Sequence, residues 1–269
     1  MNELHLFAGA GGGILGGQLL GHTTVCAVEI EQYPRQVLLQ RQRDGVLPKF
    51  PIWDDVCTFD GKPWRGAVDV ICGGFPCQDI SSAGKGVGIG GKRSGLWTEY
   101  ARIIGEIRPQ FVFAENSPLL RGRGLDVVLG DLSELGYDAR WCVLGAWHVG
   151  APHKRNRMWV LAYPNSQRLQ RDKLARGSNT QGRQKQDGPV AKCGEIQHSS
   201  VARLEGNVRG LSEGQGSSWP SWWASEPSVG RMAHGVARRV DRLKAIGNGQ
   251  VPAAAATAWN ILNEGLDRG

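Results

Sequence analysis

At 269 residues with 41% hydrophobic residues, the chain is long enough to bury a substantial core, either as one large domain or as a domain with a smaller lobe. Its net charge of +7 is concentrated in residues 151–245, which hold 17 Lys and Arg against 7 Asp and Glu. No stretch reaches the ~20 apolar residues of a membrane span, and glycines interrupt the apolar start, so we expect a cytoplasmic protein that contacts no membrane.

Apolar strand-like stretches alternate with helix-like stretches over the first 164 residues. The strand-like stretches are LHLF, TVCAVEI, VDVICGG, FVFAEN, RWCVLGAW and MWVLAY. The helix-like stretches between them are ILGGQLLG, YPRQVLLQRQR, LWTEYARIIGEI and LDVVLGDLSELG. This alternation predicts an α/β fold with a doubly wound, mostly parallel, Rossmann-like sheet. After Pro164 no period is sustained, and a last helix is predicted in VPAAAATAWNILNEGL, with Pro252 at its start.

A glycine-rich turn follows the first predicted strand. Gly11, Gly13 and Gly16 satisfy G-x-G-x-x-G, and Glu29 ends the second strand close to the ~20-residue offset at which a carboxylate binds a ribose. This pattern predicts a nucleoside-type cofactor without separating a nicotinamide cofactor from S-adenosylmethionine. Asp55 precedes the next strand, where it could accept a hydrogen bond from an adenine amino group or be an ordinary turn aspartate.

Chemically active side chains follow other strands of the predicted sheet. Cys77 comes after the strand VDVICGG, in GGFPCQDIS, and Glu115 ends the strand FVFAEN. Arg155 and Arg157 alternate at the entrance to the last strand, so we expect both to point the same way. Ligands of open α/β sheets bind beyond the carboxyl ends of the strands, which predicts that these groups converge beside the cofactor. Taken singly, Cys77 could equally be a loop thiol and Glu115 a carboxylate at a helix N-terminus. The two arginines could equally form a solvated edge.

The cysteines show no arrangement that favours a metal site. The six cysteines form no C-x-x-C pair and no His/Cys cluster at metal-ligand spacing. We therefore expect free thiols in a reducing compartment and no bound metal. The second cysteine of a zinc deaminase motif is also missing from PCQDIS, which argues against that class of cytosine-modifying enzyme.

Five motifs in this order resemble those of the DNA (cytosine-5)-methyltransferases: LFAGAGGG, GGFPCQDIS, AENS, HKRNR and AIGNGQVP. The resemblance covers about residues 4–163 and 231–262. It implies S-adenosylmethionine as cofactor and a cytosine flipped out of double-stranded DNA as substrate. Two positions depart from the family pattern, since His153 stands where glutamine is common and Ser117 where valine is common.

The resemblance also implies roles for particular residues. Cys77 corresponds to the nucleophile that adds to carbon 6 of the base, and Glu115 to the acid at ring nitrogen 3. Arg157 corresponds to the arginine that binds the base oxygen, and Arg155 to one that assists near the thiol. The residues that correspond to the cofactor site are Phe7, Gly9, Gly11, Glu29, Asp55, Pro76, Asn248 and Val251.

The family pattern divides the chain into three parts. We expect a catalytic, cofactor-binding domain at 1–164, a target-recognition region at 165–230 and a C-terminal segment at 231–269 that returns to the first domain. The second part lies within the basic segment, which favours contact with DNA phosphates. We expect a monomer that belongs to a restriction-modification system.

Two other functions remain open from the sequence. A nicotinamide-dependent dehydrogenase would explain the glycine motif and Glu29 but not the Pro76-Cys77 pair. A DNA-binding protein without activity would explain the basic segment but not the cofactor motif.

Overall fold

The computed structural model describes residues 1–76, 95–165, 245 and 247–266, and within them seven strands form one sheet. The strands are β1 (Asn2–Leu6), β2 (Thr23–Val28), β3 (Ile52–Trp53), β4 (Val70–Gly74), β5 (Phe111–Asn116), β6 (Tyr137–Gly145) and β7 (Asn156–Pro164). The α-helices are α1 (Gly12–Leu19), α2 (Gln32–Arg43), α3 (Leu96–Ile107), α4 (Leu120–Arg123), α5 (Leu125–Glu134) and α6 (Pro252–Asn263). Two short 3₁₀ helices span Lys62–Trp64 and Ala146–Val149.

The sheet has the strand order β3-β2-β1-β4-β5-β7-β6. Strands β1 to β5 run parallel to one another, whereas β7 lies antiparallel between β5 and β6. The predicted α/β, doubly wound, mostly parallel sheet is confirmed. The antiparallel pair follows from a connection between β6 and β7 that is too short for the crossover a parallel pair needs. The two residues of β3 are too few to produce a recognisable pattern in the sequence.

Helices cover both faces of the sheet, and each face has its own core. Leu4, Ile71 and Val112 share a cluster with apolar residues of α3 and α5. On the opposite face, α6 packs against the strands, and its Trp259 makes edge contacts with Phe111 and Phe113 at ring-centroid distances of 5.4 and 5.3 Å. Successive residues of a strand point to opposite faces, so β4, β5, β6 and β7 each contribute to both cores.

Helix α6 also packs closely along α1. A Cβ atom added at Gly16 would lie 2.9 Å from the Cβ of Ala255, closer than atoms of this kind approach. The C-terminal helix therefore belongs to the same body as the N-terminal strands. The predicted boundaries at 165 and 230 border or lie within the part of the chain outside the described residues, and they remain a prediction.

No helix in the described ranges combines the length and the apolar composition that crossing a membrane requires. Four of the cysteines, Cys26, Cys57, Cys72 and Cys142, are free thiols, as expected. Cys77 and Cys193 lie outside the described residues.

Two helical glycines should respond oppositely to substitution by alanine. Gly130 is exposed within α5 with no atom near its missing side chain, whereas a Cβ at Gly17 in α1 would overlap Oε2 of the buried Glu3. Because alanine favours helix over glycine, Gly130→Ala should raise the free energy of unfolding by about 0.5–1 kcal/mol. Gly17→Ala should lower it by about 1–3 kcal/mol through overpacking. Urea unfolding of both variants checks the pair, and equal responses would contradict the packing of α1 on Glu3.

Candidate functional site

A cleft opens where the parallel strands β1, β4 and β5 end. It is lined by residues 5–9, Gly13, Gly73 with Gly74, Glu115 and residues 248–250. The carboxyl ends of parallel strands meet at one edge of a sheet, which is where ligands of open α/β folds bind. Residues 248–250 reach the cleft from the far end of the chain and form its remaining wall.

Glu29 joins the glycine-rich turn to the end of β2. Its Oε2 accepts a hydrogen bond of 2.6 Å from the N–H of Gly9, and its Oε1 accepts one of 2.8 Å from the N–H of Glu31. Burial raises the pKa of Glu29 above its usual value, while these two backbone hydrogen bonds oppose the shift. Gly9 lies in the left-handed region at φ +54°, which a residue without a side chain adopts without strain. The glycine turn and Glu29, which the sequence assigns to one cofactor site, thus lie in direct contact, and the binding of a ribose by Glu29 remains a prediction.

The other predicted cofactor residues occupy different places around the cleft. Phe7 and Asn248 line it, and Val251 is the half-buried residue that precedes α6. Gly11 precedes α1 and faces α2, where a Cβ atom would lie 2.8 Å from Cδ2 of Leu38.

Asp55 closes a local turn in this structure. Its Oδ1 accepts a 2.9 Å hydrogen bond from the N–H of Cys57, and the residue is half-buried. A hydrogen bond from an adenine amino group would have to go to the second carboxylate oxygen of Asp55, and this contact remains a prediction.

The end of β4 lies directly against Glu115. Gly74 pairs with Glu115 in the β4–β5 register, and a Cβ at Gly74 would overlap Oε2 of that carboxylate. The next residue, Phe75, is buried with its ring 4.9 Å from that of Trp97, and its carbonyl accepts a 2.9 Å hydrogen bond from Nδ2 of Asn116. These contacts fix the backbone up to Pro76, which is exposed. Cys77, the predicted nucleophile, follows Pro76 and lies outside the described residues.

Glu115 is a buried carboxylate with two side-chain partners. Nε of Arg157 lies 2.8 Å from its Oε1, and Nε2 of Gln250 donates a weaker 3.5 Å hydrogen bond to its Oε2. Burial raises the pKa of Glu115, and the charge of Arg157, the Gln250 hydrogen bond and the charge of Arg155 reduce that increase without cancelling it. A carboxyl group with a raised pKa can hold a proton in the cleft and donate it.

The two predicted arginines do not share a target. Arg157 reaches Glu115, whereas Nη2 of Arg155 donates to the carbonyls of Gly247 and Gly249, at 2.7 Å for Gly247. The expectation that both point the same way assumed that both lie in the strand, but β7 begins at Asn156, and Arg155 has a left-handed φ of +33°. Burial and then the neighbouring Arg157 charge lower the pKa of Arg155.

A buried polar cluster adjoins the floor of the cleft, and sequence reasoning missed it. Glu3 and His5 in β1 are 2% and 3% exposed, and Nε2 of His5 lies 2.8 Å from Oε2 of Glu3. Nδ1 of His22 lies 2.7 Å from Oε1 of the same carboxylate, and the Cys72 thiol donates to that oxygen at 3.6 Å. Burial alone would raise the pKa of Glu3, but the hydrogen bonds and charges of the two histidines lower it to about 2. The available signal was the alternation of Glu3 and His5 with Leu4 and Leu6, which places two polar side chains on one face of the strand.

Comparison with known proteins identifies one family. Residues 1–244 match the family described as C-5 cytosine-specific DNA methylase. The Escherichia coli type II methyltransferase M.Eco47II is 37% identical over 173 residues, which cover 60% of this chain and 39% of that protein. The Haemophilus parahaemolyticus type II methyltransferase M.HhaI is 32% identical over 171 residues, which cover 62% of this chain and 50% of that protein.

Among solved structures, a Spodoptera frugiperda DNMT2 mutant matches with a TM-score of 0.50 and 21% identity, over 61% of this chain and 50% of that one. At this identity the match supports the fold. The matched segments span half or less of the length of these relatives. The family match favours the methyltransferase interpretation over the dehydrogenase and over a DNA-binding protein without activity.

The Glu3 cluster should make stability depend on pH in the acid range. Since the folded pKa of about 2 lies below the ordinary value of 4.5, the carboxylate stabilises the fold above pH 4.5, and this contribution is lost as the pH falls toward 2. The full effect is on the order of 3 kcal/mol. The difference in unfolding free energy between wild type and Glu3→Gln should therefore shrink steadily between pH 6 and pH 3. A constant difference in chemical denaturation across this range would contradict an ionised Glu3.

Proposed function

Because the chain belongs to the C-5 cytosine-specific DNA methylase family, we propose that it transfers a methyl group from S-adenosylmethionine to carbon 5 of cytosine in double-stranded DNA. The observation that carries the proposal is the position of Glu115. Its carboxyl group is buried at the cleft, beside the strand end that leads through Pro76 to Cys77. An acid at the end of β5 and a nucleophile that follows β4 in the sequence are the two groups that this reaction requires.

The cleft has features that fit the proposed cofactor. The turn at Gly9 presents backbone without a side chain, and nothing would lie within 4 Å of a Cβ there, so a ligand has room to approach. Both oxygens of Glu29 retain acceptor capacity for ribose hydroxyls, and Phe7 offers an apolar wall. Phe7, Gly9, Glu29 and Asn248 would hold the cofactor. When bound, S-adenosylmethionine supplies an electrophilic methyl group.

Cys77 would act on the base before the methyl group moves. Carbon 5 of cytosine is a weak nucleophile, and addition of a thiolate to carbon 6 leaves electron density at carbon 5. A thiolate suits this step because it is strongly nucleophilic near neutral pH and leaves readily when the carbon 5 proton is removed at the end. Pro76 restricts the backbone directly before the thiol.

Glu115 would stabilise the base during that addition. Negative charge develops on the ring as sulfur adds, so a proton donor at ring nitrogen 3 lowers the barrier. The raised pKa of Glu115 favours the protonated form that this role needs. Arg157, which is paired with Glu115, would bind the neighbouring base oxygen, while Arg155 donates to the carbonyls of Gly247 and Gly249 in the cleft wall.

The burial of Glu115 also bears on how the base is bound. The residue is 7% exposed, and a cytosine stacked in a duplex could not bring its ring nitrogen to such a group. We therefore infer that the target base is flipped out of the helix. The basic region 165–230, which lies outside the described residues from 166 onward, would contact the DNA phosphates and select the sequence.

Methyl transfer from labelled S-adenosylmethionine to mixed-sequence DNA, followed by mapping of 5-methylcytosine, tests the proposed function. Cys77→Ala should abolish incorporation and leave cofactor binding intact, because the thiol acts only on the base. Cys57→Ala is the matched control, since Cys57 is an exposed free thiol away from the cleft. Loss of activity in both variants, or in neither, would contradict the role of Cys77.

DNA that contains 5-fluorocytosine should trap the wild-type protein covalently. The thiolate adds and the methyl group transfers, but fluorine cannot leave as a cation, so the adduct persists. Denaturing electrophoresis should show a shifted band for wild type and Cys57→Ala and none for Cys77→Ala. A shifted band that persists in Cys77→Ala would assign the adduct to another residue.

Glu115→Gln should slow methyl transfer by roughly 10²–10⁴-fold, the range that general acid catalysis supplies. The amide keeps the size of the carboxyl group but cannot deliver a proton, so the affinity for the cofactor should change little. Single-turnover rates and cofactor titration separate the two effects. An unchanged rate would remove Glu115 from the chemistry.

A further inference from the structure

The buried polar cluster of β1 has no part in the proposed reaction, and its side chains are of the kinds that bind metal ions. Glu3 and His5 in β1 and Cys72 in β4 offer an oxygen, a nitrogen and a sulfur that all lie within 4.8 Å of one another. The three residues are only 2%, 3% and 5% exposed. Buried polar groups need partners, and a divalent cation is a partner that all three can share.

The register of the sheet brings these side chains together. Strands β1 and β4 are parallel neighbours, and His5 lies directly opposite Cys72. Glu3 comes two residues before His5, and alternate residues of a strand point to the same face, so all three side chains project from one face of the sheet. Ligands on two hydrogen-bonded strands are held by rigid backbone, which favours a defined coordination geometry.

The donor atoms have nearly the spacing that surrounds a tetrahedral zinc ion. Sγ of Cys72 lies 3.6 Å from Oε1 of Glu3, and Nε2 of His5 lies 2.8 Å from Oε2 of the same carboxylate. Zinc bonds of ~2.0–2.3 Å place neighbouring ligand atoms roughly 3.3–3.6 Å apart. The sulfur–oxygen distance therefore fits already, and the nitrogen–oxygen distance has to lengthen by about 0.5 Å when the ion takes the place of the proton between the two atoms.

The chemistry of the three donors matches zinc and similar first-row divalent ions. Zinc accepts thiolate, imidazole and carboxylate ligands together, whereas magnesium and calcium are bound by oxygen ligands. One thiolate and one carboxylate also balance the two positive charges of such an ion. The occupied site would then carry no net charge into the core, which limits the cost of its burial.

His22 supports the carboxylate from the turn between α1 and β2. Its Nδ1 lies 2.7 Å from Oε1 of Glu3, and its ring contacts Trp259 of α6 edge-on at a centroid distance of 5.2 Å. Hydrogen bonds of this kind orient a ligating side chain and strengthen its bond to a metal. The carboxylate is therefore held in position from outside the group of three.

We propose that Glu3, His5 and Cys72 form a binding site for a zinc-like divalent cation. His22 is a positioning residue that acts through the carboxylate. On binding, the Cys72 thiol releases its proton to solvent, and the His5 ring changes tautomer so that Nε2 binds the ion and Nδ1 carries the proton. Three protein ligands leave one tetrahedral position for a water molecule or another small ligand. The site adds to the proposed function and does not depend on it.

No bound metal was expected from the sequence, because its cysteines and histidines form no cluster at metal-ligand spacing. That criterion detects ligands that are close together in the chain. Here 69 residues separate Glu3 from Cys72, and the pairing of β1 with β4 brings them together. Such a site has no short motif.

Uptake of Zn²⁺ and Co²⁺ by the reduced, chelator-treated protein tests the proposal. Wild type should bind one equivalent of zinc per chain, melt at a higher temperature with zinc, and form a cobalt complex with a thiolate-to-cobalt charge-transfer band. Cys72→Ser should lose the band and the thermal shift, although its hydroxyl can still donate to Glu3. Cys26→Ser is the matched control and should keep both, since Cys26 is a buried free thiol in the core on the opposite face of the sheet.

His22→Phe tests the supporting hydrogen bond. The substitution keeps an aromatic ring against Trp259 but removes the donor to Glu3. Zinc affinity should fall about 10–100-fold, the usual cost of losing such a partner. The charge-transfer band of the cobalt-saturated protein should remain, because it reports the thiolate. An unchanged zinc affinity would remove His22 from the site.

X-ray absorption of the zinc-loaded wild type makes the test independent of how the variants fold. One sulfur neighbour together with nitrogen and oxygen neighbours is expected. A shell of nitrogen and oxygen alone would place the zinc elsewhere and overturn the proposal. A charge-transfer band that persists in Cys72→Ser would assign the thiolate to another cysteine. A wild type that takes up no zinc would show that hydrogen bonds alone join the cluster, and would equally overturn the proposal.

Discussion

The cleft depends on the close approach of the C-terminal segment to the glycine-rich turn. A Cβ atom on Gly12 would overlap the backbone carbonyl of Gln250, so only glycine permits this contact between segments more than 200 residues apart in sequence. One helical turn further on, Gly16 admits Ala255 of α6 in the same way. Small residues along α1 thus allow α6 to pack on it, and this packing places residues 248–250 at the open side of the sheet edge.

The same segment links the two halves of the proposed chemistry. Gln250 contacts Glu115 through its nitrogen and lies beside Gly13 through its oxygen, so one side chain spans the base side and the cofactor side of the cleft. Arg155 holds the carbonyls of Gly247 and Gly249 from the β7 side. Its positive φ lets it leave the line of the strand while Arg157, two residues on, turns to Glu115. The two arginines that the family motif groups together therefore have different partners, Arg155 in the C-terminal segment and Arg157 in β5.

The sequence predicted best those features that short segments determine. The strands other than β3 and most helices follow from hydrophobic period, and the assignment of Gly9 and Glu29 to one site follows from a motif only 20 residues long. Arg155 was assigned a direction from strand alternation, which failed because the strand begins one residue later. The role of Gln250 depends on a contact 135 residues away with Glu115, and no local pattern encodes such a distance.

Two buried glutamates on this sheet have pKa values shifted in opposite directions, and this difference suits them to different roles. Burial would raise the pKa of Glu3, but the hydrogen bonds and charges of two histidines overcome this and lower it to about 2. Burial raises the pKa of Glu115, and one close arginine with a weak amide hydrogen bond does not reverse that. A carboxylate that stays charged can fix neighbouring side chains, whereas one that can hold a proton can deliver it. The groups around each carboxyl, more than its burial, therefore separate the glutamate that stays ionised from the one that we propose as the acid.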